Sequence, residues 1–384
     1  MLHSLRCLNA TLPLGLILAL FAARPVQAVI LPAGDGPEGD ARMRAEAHQA
    51  GAEETGLVGI AMEVQGRFSL ATGVYLGTRP DGQRAFVLTS AHSAVATPAE
   101  GVPGLVVVHF PSGPGDPIGV RPGFPVQRVR LHPQFGYRSL PVIDGKGRTW
   151  NQECPVHDLA ILELDLGPAS VLRGELARCG VRPASLYDGP EYRRFLLDDA
   201  QMVGFGVLGR QDSPSAEQTF KVHRGFTRVT YGTFLGGEAG FRQWTRVPAA
   251  SVQARPALGR RVDGEQFVTD LQATLVSHPQ EPGAFPVQSH PQQARPSSGD
   301  GGGPLFCLDP GDWGWKVAGI CSYHATTCLR VAGTWQWETF HLDYWTPVRD
   351  HLDWIRDVQE GRPVAGPVLE LGGQDAAGAG PNQP

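Results

Sequence analysis

Hydrophobic and polar residues alternate over short stretches along most of this chain, and turn residues separate those stretches. Val58, Ile60, Met62 and Val64 recur at every second position, the period of a strand with one buried face. Val74-Tyr75-Leu76 and Ala85-Phe86-Val87-Leu88 flank Pro80-Asp81-Gly82. Pro presets φ and Gly accepts a left-handed conformation, so this segment predicts a hairpin. Further apolar runs lie at Leu105–Phe110, Val126–Leu131, Leu159–Leu164 and Met202–Leu208. Short strands at this spacing predict an all-β barrel or sandwich. Residues 209–296 are polar and turn-rich and read as long loops. His351–Val358 carries Trp354 and Ile355 among charged residues and predicts a short C-terminal helix packed on the β structure. Residues 361–384 hold Gly, Pro, Ala and Gln with few apolar anchors and are expected to be disordered. No internal repeat is visible.

Composition agrees with many short elements. The 49 Gly and 33 Pro among 384 residues argue against a helix bundle. A chain with 41% apolar and 18% charged residues buries a substantial core and is not disordered, collagen-like or a coiled coil. The formal charge of −5 comes from 38 acids against 33 bases, so no basic excess calls for nucleic acid.

The N-terminus predicts export. Arg6 precedes an apolar run from Leu12 to Ala23, and Val26-Gln27-Ala28 supplies small residues suited to signal-peptidase cleavage. That run is shorter than the roughly 20 residues that span a bilayer. Residues 1–28 therefore read as a signal peptide and 29–55 as an exposed leader. The mature chain is expected to be soluble, and secreted or periplasmic. Of six cysteines Cys7 leaves with the signal, and the odd number remaining permits at most two disulfides. No His/Cys group has zinc-site spacing, so neither a metal nor another cofactor is expected.

Three separated segments carry the candidate chemistry. Val87-Leu88-Thr89-Ser90-Ala91-His92 ends a strand in a histidine. His157-Asp158-Leu159-Ala160-Ile161-Leu162 puts an aspartate at the head of an apolar strand. Ser298-Gly299-Asp300-Gly301-Gly302-Gly303-Pro304-Leu305 is a glycine-rich turn leading into a strand. Each alone has an ordinary structural role, as a surface histidine, a cap and a tight bend. Their order and context together say more.

Together they resemble the trypsin/chymotrypsin family of serine endopeptidases. Leu88–His92 is similar to that family's Leu-Thr-Ala-Ala-His segment, and Asp158–Leu162 to its Asp-Ile-Ala-Leu-Leu strand. His132-Pro133-Gln134-Phe135 matches a His-Pro-x-aromatic segment, and Met202–Gly206 resembles the Gly-Trp-Gly strand. Ile320–Tyr323 resembles the strand lining the substrate cleft, and Trp345–Ile355 the closing strand and helix. The resemblance runs from about Leu57 to Val358. It implies two antiparallel six-stranded β-barrels with a short C-terminal helix, in a protease-like domain over residues 56–360.

In that chemistry a weak hydroxyl nucleophile needs an imidazole base, which a carboxylate orients and stabilises, and two backbone N–H groups bind the oxyanion. The resemblance makes His92 the base, Asp158 the orienting acid and Gly299 with Gly301 the oxyanion-hole donors. Asp300 matches the carboxylate that receives a newly cut N-terminus. The family's nucleophile position holds Gly301, which offers no oxygen. Ser297 and Ser298 precede the turn and are expected to lie outside the oxyanion geometry. The chain thus reads as a secreted endopeptidase homologue that binds a protein or peptide without cutting it efficiently. The alternatives are an active serine endopeptidase using His92 and Asp158 with a lost or unrecognised serine, and an unrelated all-β binding protein.

Other departures accompany Gly301. Ser93 stands where the family often has a cysteine, as does Ser297, and Ala200 stands at the usual partner position of Cys307. Cys321 with Cys328 is a candidate local bridge. No Arg/Lys-Ile-Val-Gly-Gly activation site is present; Leu57-Val58-Gly59 is the nearest segment. Arg295, six residues before Gly301, falls at the base of the family's specificity pocket, where it would disfavour basic side chains; it reads equally as a surface-loop residue. Ser322, Tyr323 and His324 fall on the strand lining the substrate cleft.

Overall fold

A computed structural model describes residues 30–31, 56–65, 67–95, 103, 105–111, 123–143, 149–167, 171–189, 199–206, 208–210, 213–217, 223–231, 252–253, 267–270, 296, 298–309, 311–331 and 337–371. The expected signal peptide and most of the leader, Ser297 and Arg295 lie outside these residues.

The first half runs β1 (Ile30–Leu31), β2 (Leu57–Val64), β3 (Arg67–Thr78), β4 (Arg84–Thr89), α1 (Ala91–Ala94), β5 (Leu105–His109), β6 (Phe124–Leu131), β7 (Gly136–Ile143), β8 (Thr149–Val156), β9 (Ala160–Asp165) and α2 (Val171–Cys179). Strands pair in the order β6-β5-β2-β3-β4-β9, and β9 returns to β6, closing a six-stranded antiparallel barrel. The two-residue period explains the closure. On β4, Ala85 and Val87 face the barrel interior with Val58, Ile60, Met62, Val106, Val108 and Leu162. The alternate residues Phe86 and Leu88 turn outward into a second core with Leu57, Val74 and Ile161. Both faces of β4 are buried, so its sequence reads as a continuous apolar run.

The second half runs β10 (Asp199–Gly204), β11 (Leu208–Arg210), β12 (Ser213–Glu217), β13 (His223–Tyr231), β14 (Val252–Gln253), β15 (Phe267–Asp270), β16 (Pro304–Asp309), β17 (Gly314–Val331), β18 (Trp337–Pro347), a 3-10 turn (Arg349–His351), α3 (Leu352–Glu360) and β19 (Val368–Glu370). Its main sheet has the order β14-β17-β16-β10-β13-β15-β18, and β17 also pairs with β18. Val203, Phe306, Val317 and Ile320 from this sheet, with Phe205 just after β10, meet the outward face of the barrel in the second core. Leu352, Ile355 and Val358 of α3 enter the same core, spaced to share one helix face. Gly361, with φ 72°, ends α3 by donating to the Val358 carbonyl.

Three expectations are corrected. The stretch read as loops, 209–296, contributes β12 to β15 and most of β11; in His223–Tyr231 the apolar Phe226, Val229 and Tyr231 are interspersed with Arg and Thr, so an apolar count passes over it. The tail expected to be disordered from 361 holds β19, which pairs with β6, while Leu369 and Leu371 pack on the barrel core and Arg128 pairs with Glu370. Cys321 and Cys328 lie on one continuous strand, β17. Seven residues of strand span about 23 Å, whereas a disulfide needs Cα atoms within about 7 Å. No disulfide joins Cys179, Cys307 and Cys321. Cys307 sits directly opposite Ala200 in the β10–β16 register, so the position facing it carries no thiol. Within the leader, Ile30–Leu31 pairs in parallel with β11. Among the described residues no helix is long and apolar enough to cross a membrane.

Candidate active site

Barrel pairing brings the histidine to the aspartate. Thr89, the last residue of β4, sits opposite Ala160, the first of β9. His92 follows Thr89 on the single turn of α1, and Asp158 precedes Ala160. His157 adopts a left-handed φ of 47° and accepts from the Leu159 N–H, a tight turn that leaves Asp158 fully buried.

Asp158 is held from three directions. His92 Nδ1 donates to Oδ2 at 2.6 Å, the His92 backbone N–H donates to Oδ1 at 2.8 Å, and the Ser322 hydroxyl donates to Oδ2 at 2.6 Å. A carboxylate accepts only, so the His92 proton is on Nδ1 and Nε2 is left as acceptor. Burial alone would raise the Asp158 pKa, but the His92 charge and these hydrogen bonds outweigh it and hold the group below the usual carboxylate range. For His92 burial pulls the pKa down, and the charge and hydrogen bond of Asp158 outweigh it, leaving His92 above its ordinary 6.5.

The glycine turn is pinned to the barrel. Thr72 Oγ1 donates to the Gly299 carbonyl at 2.8 Å, and the Thr72 N–H donates to the Gly301 carbonyl at 2.9 Å. The Gly302 N–H donates to Cys321, and Cys321 donates back to Gly303. Asp300 is buried and accepts from the Gly206 N–H at 2.8 Å. A Cβ on Gly204 or Gly206 would fall within 3 Å of that carboxyl group, which accounts for glycine at both positions. Gly302, at φ +80°, would put a Cβ 1.9 Å from Thr89 Oγ1. Gly301 is delivered next to His92: a Cβ there would lie 3.5 Å from Nε2. Among the described residues neither the Gly299 nor the Gly301 N–H donates to a protein acceptor.

That same Cβ would also lie 2.5 Å from Ser93 Oγ, closer than real atoms approach. The Ser93 hydroxyl therefore stands in the space that a side chain at 301 would enter. It lies 3.1 Å from His92 Nε2, and with Nε2 as acceptor the hydroxyl donates.

The sequence-derived cleft residues fare differently. Ser322 is buried and its hydroxyl is engaged by Asp158, so only its backbone is left for a ligand; a bulge between Cys321 and Tyr323 falls at this residue. Tyr323 is half-buried and stacks on Tyr344 with ring centroids 4.4 Å apart. His324 lies on β17 opposite Asp343. Ser298 is exposed at the start of the turn. Burial drives the Cys321 thiol well above its ordinary pKa, with Asp300, Asp343 and Asp158 adding to it, so it is no nucleophile.

Sequence spacing missed two features. Ser93 is one. The other is a cluster of His132, His157 and His351, one ring nitrogen of each lying within 4.8 Å of the others'. They come from the start of the β6–β7 connection, the turn before β9 and the turn before α3. Gln134 N–H donates to His132 Nδ1 at 3.3 Å, which puts the His132 proton on Nε2 and directs it to His351 Nδ1 at 3.1 Å. Burial lowers both pKa values, to about 4 for His132 and about 3 for His351, with the neighbouring imidazoles adding to the effect. Three imidazoles so close together are a ligand set for a divalent ion. Binding through His132 Nε2 would require breaking this hydrogen-bond pattern, because a ligating imidazole donates its other N–H.

No family model matches this chain, and no characterised protein matches it at a significant level.

Proposed function

We propose that the chain is a trypsin-like serine endopeptidase homologue that is exported, binds polypeptide in the cleft beside His92, and does not cut it at protease rates. The reading extends the fold to a second six-stranded barrel closed by the β17–β18 pairing. The observation that carries it is the dyad geometry. A buried Asp158 orients a half-exposed His92 through a 2.6 Å hydrogen bond, and the Gly299–Gly303 turn brings residue 301 to within Cβ reach of Nε2. That is the framework of a base, an orienting acid and paired backbone donors. With Gly301 at the nucleophile position, the family's acyl-enzyme step has no oxygen there.

Hydrolysis of a fluorescently labelled protein, measured for the chain and for Gly301→Ser, tests this. Residue 301 has no left-handed φ, and the obstacle to its Cβ is the rotatable Ser93 hydroxyl, so the substitution is accommodated by turning one side chain. The expected result is cleavage by the G301S protein alone. Protease-like cleavage by the unaltered chain would overturn the reading, and cleavage by neither would favour an all-β binding protein without a peptidase-type site.

A further inference from the structure

We propose that Ser93 is a relocated nucleophile, and that His92, Asp158 and Ser93 together accept acyl groups from carboxylic esters. The inference rests on the reading of the site above and adds a reaction to it.

The connectivity Ser93 Oγ–H to His92 Nε2 at 3.1 Å, and His92 Nδ1–H to Asp158 Oδ2 at 2.6 Å, is that of a serine activated by an imidazole that a carboxylate orients. The hydroxyl comes from the residue after the histidine, so helix α1 alone supplies nucleophile and base. Gly301 makes the arrangement possible. Any side chain at 301 would collide with Ser93 Oγ, and its absence lets that hydroxyl occupy the approach to Nε2. The residue that removes one nucleophile thus makes room for another. Ser93 and Gly301 are both half-buried rather than sealed, so an acyl carbon can reach Oγ. The N–H of Gly301, which donates to no acceptor among the described residues, is one bond from the Cα that carries the space this hydroxyl fills, and Gly299 supplies a second N–H two residues earlier.

The step balances without another reactant. His92 Nε2 takes the Ser93 proton as Oγ bonds to the ester carbonyl carbon, and the carbonyl π pair moves onto oxygen beside the Gly301 N–H. Collapse of that intermediate breaks the bond to the alkoxy leaving group, which takes the proton from His92, leaving an acyl ester on Ser93. Water attacks in the same way and releases the acid. Because the hydroxyl is displaced from the position that residue 301 would give it, the site suits esters, whose leaving group departs readily, over peptide bonds.

The test is covalent labelling of the full chain with an alkyl fluorophosphonate, which forms an O–P bond at an activated serine and expels fluoride, followed by mass-spectrometric mapping. The expected adduct is on Ser93, absent in Ser93→Ala, and formed about 10²-fold or more slowly in His92→Ala. A one-equivalent burst of nitrophenol from nitrophenyl acetate, lost in S93A, is expected alongside. An unlabelled chain together with a G301S protein labelled at position 301 overturns the Ser93 proposal and leaves the peptidase-like reading standing. Labelling of neither protein overturns both. An adduct that persists in S93A also overturns the proposal.

Discussion

Acidification from pH 7 to pH 5 should destabilise the fold through the histidine cluster. In the unfolded chain His132 and His351 take up a proton near the ordinary 6.5, whereas in the folded chain burial delays this to about 4 and about 3. A depressed folded value means that the unfolded state binds more protons over the interval between the two. Stability is therefore fully present above 6.5 and is lost as the pH falls toward the folded values. At pH 5, about 1.5 pH below the ordinary value, each histidine favours unfolding by about 2 kcal/mol, or about 4 kcal/mol for both. That is a large part of the 5–15 kcal/mol typical of a folded domain. His92 opposes the trend. Its folded value is raised, so its contribution is fully present below 6.5 and lost as the pH rises through the folded value. Comparing two proteins that share His92 removes that term. The comparison is urea unfolding of the unaltered chain and His351→Gln at both pH values; glutamine keeps an acceptor for the His132 Nε2–H but does not titrate. The variant should lose about 2 kcal/mol less than the parent between pH 7 and pH 5. Equal losses in the two proteins would refute the assignment of acid sensitivity to this cluster.

Four further outcomes are expected. The rate of fluorophosphonate labelling at Ser93 should rise with pH through a midpoint above 6.5, since His92 accepts a proton only when neutral and its pKa is raised; a midpoint below 6.5 contradicts the His92–Asp158 coupling. Ser322→Ala should cost about 2 kcal/mol in chemical denaturation by removing a hydrogen bond to a buried carboxylate, and should move the His92 titration seen by NMR further upward. Glu163 is buried in the barrel wall between Arg84 and Arg130, and Glu163→Gln should lower stability by about 3 kcal/mol, read from the urea midpoint, because it leaves two guanidinium groups without their shared anion. Gly302→Ala should cost more than about 2 kcal/mol, since the new Cβ meets both Thr89 Oγ1 and the Thr72 carbonyl at a left-handed backbone position; a neutral effect on the thermal midpoint would show that the turn is not pinned as described.

The barrel was legible because its strands obey a single rule. Ala85 and Val87 go in and Phe86 and Leu88 go out, so the apolar runs that mark strands also mark a sheet covered on both faces. The pattern fails where side chains alternate polar with β-branched, as in β13, and where a short strand is held by an edge, as β19 is on β6 through Leu369, Leu371 and the Arg128–Glu370 pair. β13 spreads Phe226, Val229 and Tyr231 among polar residues, and β19 is only three residues long. The Cys321–Cys328 pairing failed for a related reason: seven residues suggest a loop only if the strand between them is not recognised as continuous.

The candidate site divides along the same line between local and tertiary information. His92, Asp158 and the glycine turn are each local patterns, and their meeting follows from the β4–β9 register and the Thr72 contacts. What local pattern cannot express is which atom fills a space that another residue leaves open. Ser93 and Gly301 lie far apart in the sequence. In three dimensions they are coupled, because the Ser93 hydroxyl occupies the volume that a side chain at 301 would enter. A sequence signal for it exists in retrospect: a hydroxyl directly after the histidine, combined with glycine at 301. The pair is informative only jointly. Ser93 beside a bulkier residue at 301 would have to turn away from Nε2, and Gly301 beside an alanine at 93 would leave His92 without a donor. The histidine cluster is the converse case. His132, His157 and His351 belong to no spacing motif, and only the convergence of three turns brings them together at one end of α3, where burial keeps His132 and His351 neutral well into acid.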